Sequence, residues 1–331
     1  MRPGLAVAVV RLAGPTLAAL VAVLALVGLV ALAATGTPGA RAGAGWTGAP
    51  VLVPPGAVFA SPRFQDNALW DDGQAEFSVY RGHFAKYGIP RAFEARFIVV
   101  KEDMNRALRV KSDPGPVSGK TATVLKVNYI QDIPTGVYTY HQMTSAFVDR
   151  ATLATVKLAM SSTEGCGITF VEVLPGRDGL RQVSHSYWDG QADRDLRIAA
   201  PRGALLWDAL PLWLRALDLG KRQTFRAPML PSQLSGKVEA STLVPATIEV
   251  AGTAGPVQPA AGGSRQAYPV RVSYKDPAGK ERTDTFWFDA APPHVLVRLE
   301  RGDGLTLALA RTLRMAYWEK TRPGDEALLV P

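Results

Sequence analysis

From residue 75 to residue 198 one local signature recurs: short segments in which apolar and polar side chains alternate, separated by Gly, Pro and Asp. A period of two puts successive side chains on opposite faces of an extended chain, so each segment reads as a strand with one buried face. The segments are 75–80, 93–100, 121–130, 136–150, 154–161, 168–174, 181–188 and 194–198, with Asp189 and Gly190 a hairpin turn between the last two. A second series follows at 238–250, 268–274, 283–288, 294–300, 305–310 and 314–318. No strand alternates with a helix, which argues against βαβ units and doubly wound nucleotide folds. The expectation is an all-β, mainly antiparallel domain: a large curved sheet, an open barrel or a sandwich.

One helix interrupts the pattern around 204–219. It places Leu205, Trp207, Leu210, Trp213, Leu214 and Leu217 mostly three or four residues apart, and Gly220 is a suitable stop. Pro211 inside it implies a kink or a new start, hence two short pieces. A helix with two Trp and four Leu on one side has to bury them, and the concave side of a curved sheet is the place a β-rich chain offers.

The first 42 residues read as an export segment. Arg2 and Arg11 precede an apolar run of 18 residues (17–34), and Ala40 and Ala42 stand at the −3 and −1 positions of a cleavage site. That run is about the minimum for a membrane span, so a retained anchor at 12–34 is the alternative to cleavage. Either way the remainder lies outside the cytoplasm, in the periplasm. Residues 43–63 are rich in Gly, Ala and Pro and read as a flexible tether or an edge wrap. Residues 64–320 form a single β-rich domain and 321–331 a tail. The formal net charge is +8, from 37 Lys+Arg against 29 Asp+Glu; signs are mixed along the chain, which is not a nucleic-acid footprint.

Few residues offer chemistry. One Cys rules out a disulfide framework, a multi-Cys zinc site and an iron–sulfur cluster, and four His make a His-rich metal site unexpected. No P-loop, dinucleotide fingerprint, zincin helix or CxxC occurs, so no metal and no cofactor is expected. The densest polar and aromatic stretch is 128–145. On a strand there, Tyr138, Tyr140, Gln142 and Thr144 share one face, and Thr139, His141, Met143 and Ser145 the other. His141 is either a general base or a half-buried strand histidine. Cys166 lies between Gly165 and Gly167, which leave its sulfur reachable; with His141, and Glu164 as orienting group, it forms a candidate thiolate–imidazole site. Against that, a free Cys commonly packs as a small hydrophobe, and no helix follows to lower its pKa. The tryptophans, Trp318 among them, read as core rather than as a stacking platform.

The stretches 70–80 (WDDGQAEFSVY), 136–145 (GVYTYHQMTS) and 164–167 (EGCG) resemble an exported, uncharacterised bacterial family whose members are sometimes labelled "septum formation inhibitor Maf". The stretch 208–215 (DALPLWLR), with 268–318, resembles a related domain of unknown function found in periplasmic β-proteins. Genuine Maf proteins are cytoplasmic α/β nucleotide pyrophosphatases, and an exported all-β chain without their pattern cannot share that activity. A looser likeness of shape is to the periplasmic lipoprotein carriers, half-barrels that hold acyl chains under a helical lid.

These readings predict a non-enzymatic envelope protein that binds an apolar or amphipathic ligand, a lipid or other amphiphile. Trp207, Trp213 and Leu217 would close an apolar cavity of several hundred Å3, with Tyr138, Tyr140 and Met143 in its wall. The alternatives are an envelope scaffold that meets other envelope proteins through an exposed apolar patch, and a thiol enzyme using Cys166 and His141.

Overall fold

The computed structural model describes residues 54–201, 203–238 and 241–329. The export segment 1–42, its 12–34 anchor and residues 43–53 lie outside the described residues. No helix among the described residues is long and apolar enough to cross a membrane.

The chain forms one large, open, mostly antiparallel sheet, so the sandwich alternative falls away. Its first series is β1 (Ala75–Lys86), β2 (Ile89–Asn105), β3 (Thr121–Pro134), β4 (Thr139–Asp149), β5 (Thr155–Glu164), β6 (Gly167–Pro175), β7 (Leu180–Ser186) and β8 (Arg194–Ile198). Its second is β9 (Leu205–Leu206), β10 (Gln223–Leu230), β11 (Val244–Val250), β12 (Gly255–Val257), β13 (Arg265–Lys275), β14 (Glu281–Asp289), β15 (Leu296–Glu300) and β16 (Thr306–Met315). Each series is a meander, and the two join where the first strand meets the last: β1 pairs antiparallel with β16, Phe77 opposite Leu313. The chain therefore runs outward from the middle of the sheet to the β8 edge. It re-enters at the opposite edge, where β9 pairs with β10 in the sheet's one parallel ladder among the described residues. Bulges in the β1–β16, β4–β5 and β14–β15 ladders add local bend and twist.

The crossing between the edges is the segment expected to be a helix. It is built from short pieces: β9, a 3-10 turn (Trp207–Ala209), one α-helical turn α1 (Leu210–Trp213) and a second 3-10 turn (Leu214–Ala216). Pro211 sits in the first turn of α1, where a missing N–H costs nothing. Every residue from Leu205 to Leu217 is buried, so this is a mainly apolar element enclosed on all sides, passing through the interior. One continuous core unites it with side chains of β2–β7 on one side and β10–β16 on the other.

Two charged residues on the crossing are satisfied inside the core. Arg215 pairs with Glu76 of β1 and donates to the Pro293 carbonyl at 2.9 Å. Asp208 accepts from Ser232 Oγ at 2.7 Å and the Gln233 N–H at 2.8 Å, while burial pushes its pKa upward. On the far side, Trp207 donates to Asp284 of β14 at 2.6 Å.

The described part of 43–63 lies against the crossing segment and β10. Phe59 bridges to Leu217, the Ala60 N–H donates to Ala216 O at 3.0 Å, and Gln223 bonds both the N–H and the carbonyl of Val58. At the other end of the chain, the 3-10 turn Asp325–Leu329 brings Leu329 against the outer face of β1 and β2. Two boundaries differ from the sequence pattern. Strand β10 escapes the alternation series; it contains Pro228, which stands opposite Pro245 of β11. The segments 305–310 and 314–318 merge into the single strand β16, apart from the last residues.

Candidate functional site

In an antiparallel meander alternate turns fall at the same end. The β1–β2, β3–β4 and β5–β6 turns and the exit from β7 therefore gather at one rim of the first half-sheet. Turn positions ordinarily carry polar residues, yet these turns and the strand ends beside them carry Tyr87, Ile89, Val137, Tyr138, Ile168 and Tyr187. Five of the six are strongly exposed, Val137 completely and Tyr87 to 62%.

Three phenols interlock here. Tyr87, held at φ 56°, bonds through its hydroxyl to Tyr138 Oη at 3.0 Å and, by a short contact, to Tyr140 Oη. Lys86 Nζ lies 4.2 Å from the Tyr140 ring centroid, a cation–π contact. Burial, together with the nearby Glu164 carboxylate, drives the Tyr140 phenol well above its usual range. On the other side of the turn, desolvation and a hydrogen bond with Cys166 push the Tyr187 phenol up to about 12.

The exposed Cys166 thus stands between two rings. Tyr138 packs on Gly165, and Tyr187 lies so close to Gly167 that a Cβ there would fall 2.4 Å from its ring. Those contacts, more than thiol access, account for the two glycines.

Below the rim the concave face is polar across five strands. Gln131, Gln142, Ser162, Thr169 and Ser186 stand in register in one row. Gln131 donates to Gln142 at 2.7 Å, and Gln142 to Ser162 at 3.0 Å. Residues 231–238 cover this row: the Gly236 carbonyl accepts from Thr169 Oγ1 at 2.8 Å and from Trp188 Nε1 at 2.7 Å.

The residues singled out by sequence are only partly brought together. Tyr138, Tyr140, Glu164 and Cys166 share the rim. His141 does not join them: it points to the outer face of β4, where Nδ1 meets Asp132 Oδ1 at 2.8 Å. Glu164 Oε2 is buried without a hydrogen-bond partner among the described residues, and with His141 on the outer face, Cys166, His141 and Glu164 form no relay. Met143 also lies on the outer face, 37% exposed, away from Tyr140. Among the described residues, Trp207, Trp213 and Leu217 are all buried in the packed interior. The crossing segment fills the concave face itself, and the void beside Leu205, Leu210 and Trp213 is about 10 Å3, the room of about one water. Trp318, read as core, is 48% exposed. Among the described residues no group of three or more His, Cys, Asp or Glu is placed to hold a metal ion.

Tyr87, Ile89, Ile168 and Tyr187 belong to no polar or catalytic motif of the sequence. The signal that could have found them is a run of large apolar residues at successive turns, where solvent-facing chemistry is the rule.

No family model and no curated protein sequence matches the chain. Among solved structures it is similar to a beta-barrel-like protein of the domain of unknown function DUF1849 from Brucella abortus. The identity is 11%, the TM-score 0.43, and the match covers 73% of this chain and 98% of that one.

Proposed function

We propose that this chain is an exported, non-enzymatic protein of the cell envelope that binds an apolar or amphipathic ligand at its tyrosine-rich rim. The observation that carries the reading is the placement of Tyr87, Ile89, Val137, Ile168 and Tyr187, all exposed, on turns and adjoining strand ends at one end of the sheet. Monomeric proteins rarely leave such a cluster uncovered without a use for it. Tyrosines pair an apolar body with a polar tip, and Lys86 adds a cation over one ring, a combination suited to the boundary between apolar chains and water. The N-terminal 42 residues supply the export, by a cleaved signal or as an anchor at 12–34. The ligand meets the outside of a filled sheet; it is not enclosed as in a lipoprotein carrier.

Native mass spectrometry of the chain released gently from its own envelope tests this. The expected result is a non-covalent amphiphile mass, lost on denaturation and lost in the double variant Val137→Asp/Ile168→Asp. Both positions are exposed, so the variant keeps its core. A ligand-free spectrum, or an adduct indifferent to the double variant, overturns the rim as the binding site.

A further inference from the structure

The outer face of the sheet carries an apolar strip. Ala75, Phe77 and Val79 of β1 and Ile98 and Val100 of β2 are buried although they point away from the main core. A strip of this kind in a β-sheet has to be covered, and among the described residues the C-terminal segment up to Leu329 covers it incompletely. Between them and the strip lies an open groove of about 460 Å3, within the ordinary range of ligand pockets. Its floor is Phe77, Met315 and Tyr317, and Leu328 and Leu329 form one wall. The Phe77 and Tyr317 rings meet edge to face at 5.9 Å, which fixes that floor.

The mouth carries Lys320, Arg322, Asp325 and Glu326. The two acids are engaged by the chain itself: an Asp325 carboxylate oxygen accepts the Arg322 N–H at 2.9 Å, and Glu326 accepts the Gly324 N–H at 2.8 Å. The two cations have no ion-pair partner among the described residues. The groove therefore offers an apolar trough whose mouth carries two cations without an ion-pair partner among the described residues, beside two carboxylates that bond backbone N–H groups of the chain itself.

We propose that this groove is a second binding site, for a single amphiphile with an anionic head, its chain along Phe77, Met315 and Leu328 and its head at Lys320 and Arg322. The site is separate from the rim residues, and its test does not use them. Its charged groups are exposed, so the head contributes selectivity and the trough supplies most of the affinity.

Calorimetric titration of the full chain with monododecyl phosphate, dodecylphosphocholine, dodecyltrimethylammonium and inorganic phosphate, each below its micelle concentration, decides the matter. Leu328→Glu serves as the blocking variant, since the side chain is 40% exposed and its loss spares the core. The expected result is one dodecyl phosphate per chain, bound in a manner abolished by Leu328→Glu and not reproduced by inorganic phosphate. The double variant Lys320→Gln/Arg322→Gln weakens dodecyl phosphate roughly tenfold and leaves dodecylphosphocholine unchanged. If no probe shows binding sensitive to Leu328→Glu, the groove is not a site. If the three head groups bind equally, or inorganic phosphate binds as well as its ester, the assigned ligand class is overturned. The variant Val137→Asp/Ile168→Asp leaves this binding intact, so failure at the rim and failure at the groove are read separately.

Discussion

Arg215 donates from both terminal guanidinium nitrogens to the two carboxylate oxygens of Glu76, each at 2.8 Å, with both side chains at most 5% exposed. The partners are 139 residues apart. The pair ties the interior crossing segment to the strand that joins the two meanders, and Arg215 also lies over the Phe64 ring at 4.6 Å. A buried charge is tolerated only when its partner is present. Removing one member, by Glu76→Ala or Arg215→Ala, is expected to cost about 3–5 kcal/mol in urea unfolding. The apolar double replacement Glu76→Leu/Arg215→Met recovers most of that loss; a double variant as unstable as the two single costs added together would show that the pair is not the tie.

Gly82, in the interior of β1, stands opposite Phe93 of β2, whose ring occupies the place of a Cβ at 2.4 Å. Phe93 is 7% exposed and cannot simply swing into water. Gly82→Ala should therefore destabilise by about 1–3 kcal/mol through overpacking. In the background of Phe93→Leu the same change should cost clearly less, and an equal cost in both backgrounds would assign the glycine to backbone conformation instead.

Asp71 accepts from Arg150 at 2.7 and 2.8 Å and from Lys101 at 2.8 Å, and these hydrogen bonds hold its carboxyl well below the usual carboxylate range. A folded-state pKa below the unfolded one adds stability that is fully present above the unfolded value, about 4, and is lost as pH falls through the folded one. The urea midpoint of the natural chain should thus fall between pH 5 and pH 2, and Asp71→Asn should flatten part of that fall while lowering stability at pH 7. The carboxylate is nearly half exposed, so the effect is modest. Parallel pH profiles for the two chains would contradict the assignment.

Cys166 is exposed between Tyr138 and Tyr187, at the proposed rim. Native-state alkylation with a maleimide should go to completion without denaturant, and dodecylphosphocholine added below its micelle concentration should slow it. Labelling that is unaffected by amphiphile would place bound ligand away from the rim.

The rim shows where sequence reading reaches its end. Tyr138, Tyr140, Glu164 and Cys166 stood out because they lie in two compact polar stretches, and the alternation of 138–145 correctly separated Tyr140 from His141. Tyr87 and Tyr187 could not be joined to them by inspection, since the first is 51 residues from Tyr138 and only the meander makes them neighbours. Met143 went astray for the opposite reason: its place near two tyrosines in sequence outweighed the period of two that sends it to the other face.

What the amino-acid order determined unaided is local. A period of two and its turn residues produce strands wherever they occur, because the side-chain direction at each position depends only on its neighbours. The all-β class follows from that alone, and the division of 205–217 into short pieces follows from Pro211, which suits only the first turn of a helix. The tertiary structure decided which face is filled and what remains open. The pairing of β1 with β16 brings the two meanders into one sheet, and that sheet has room on its concave side for one buried segment. Residues 205–217 take that room, because burying their leucines and tryptophans and satisfying Arg215 and Asp208 requires partners from both halves at once. Open space is what close packing leaves over, and the groove on the outer face is such a remainder, where no local pattern announces it.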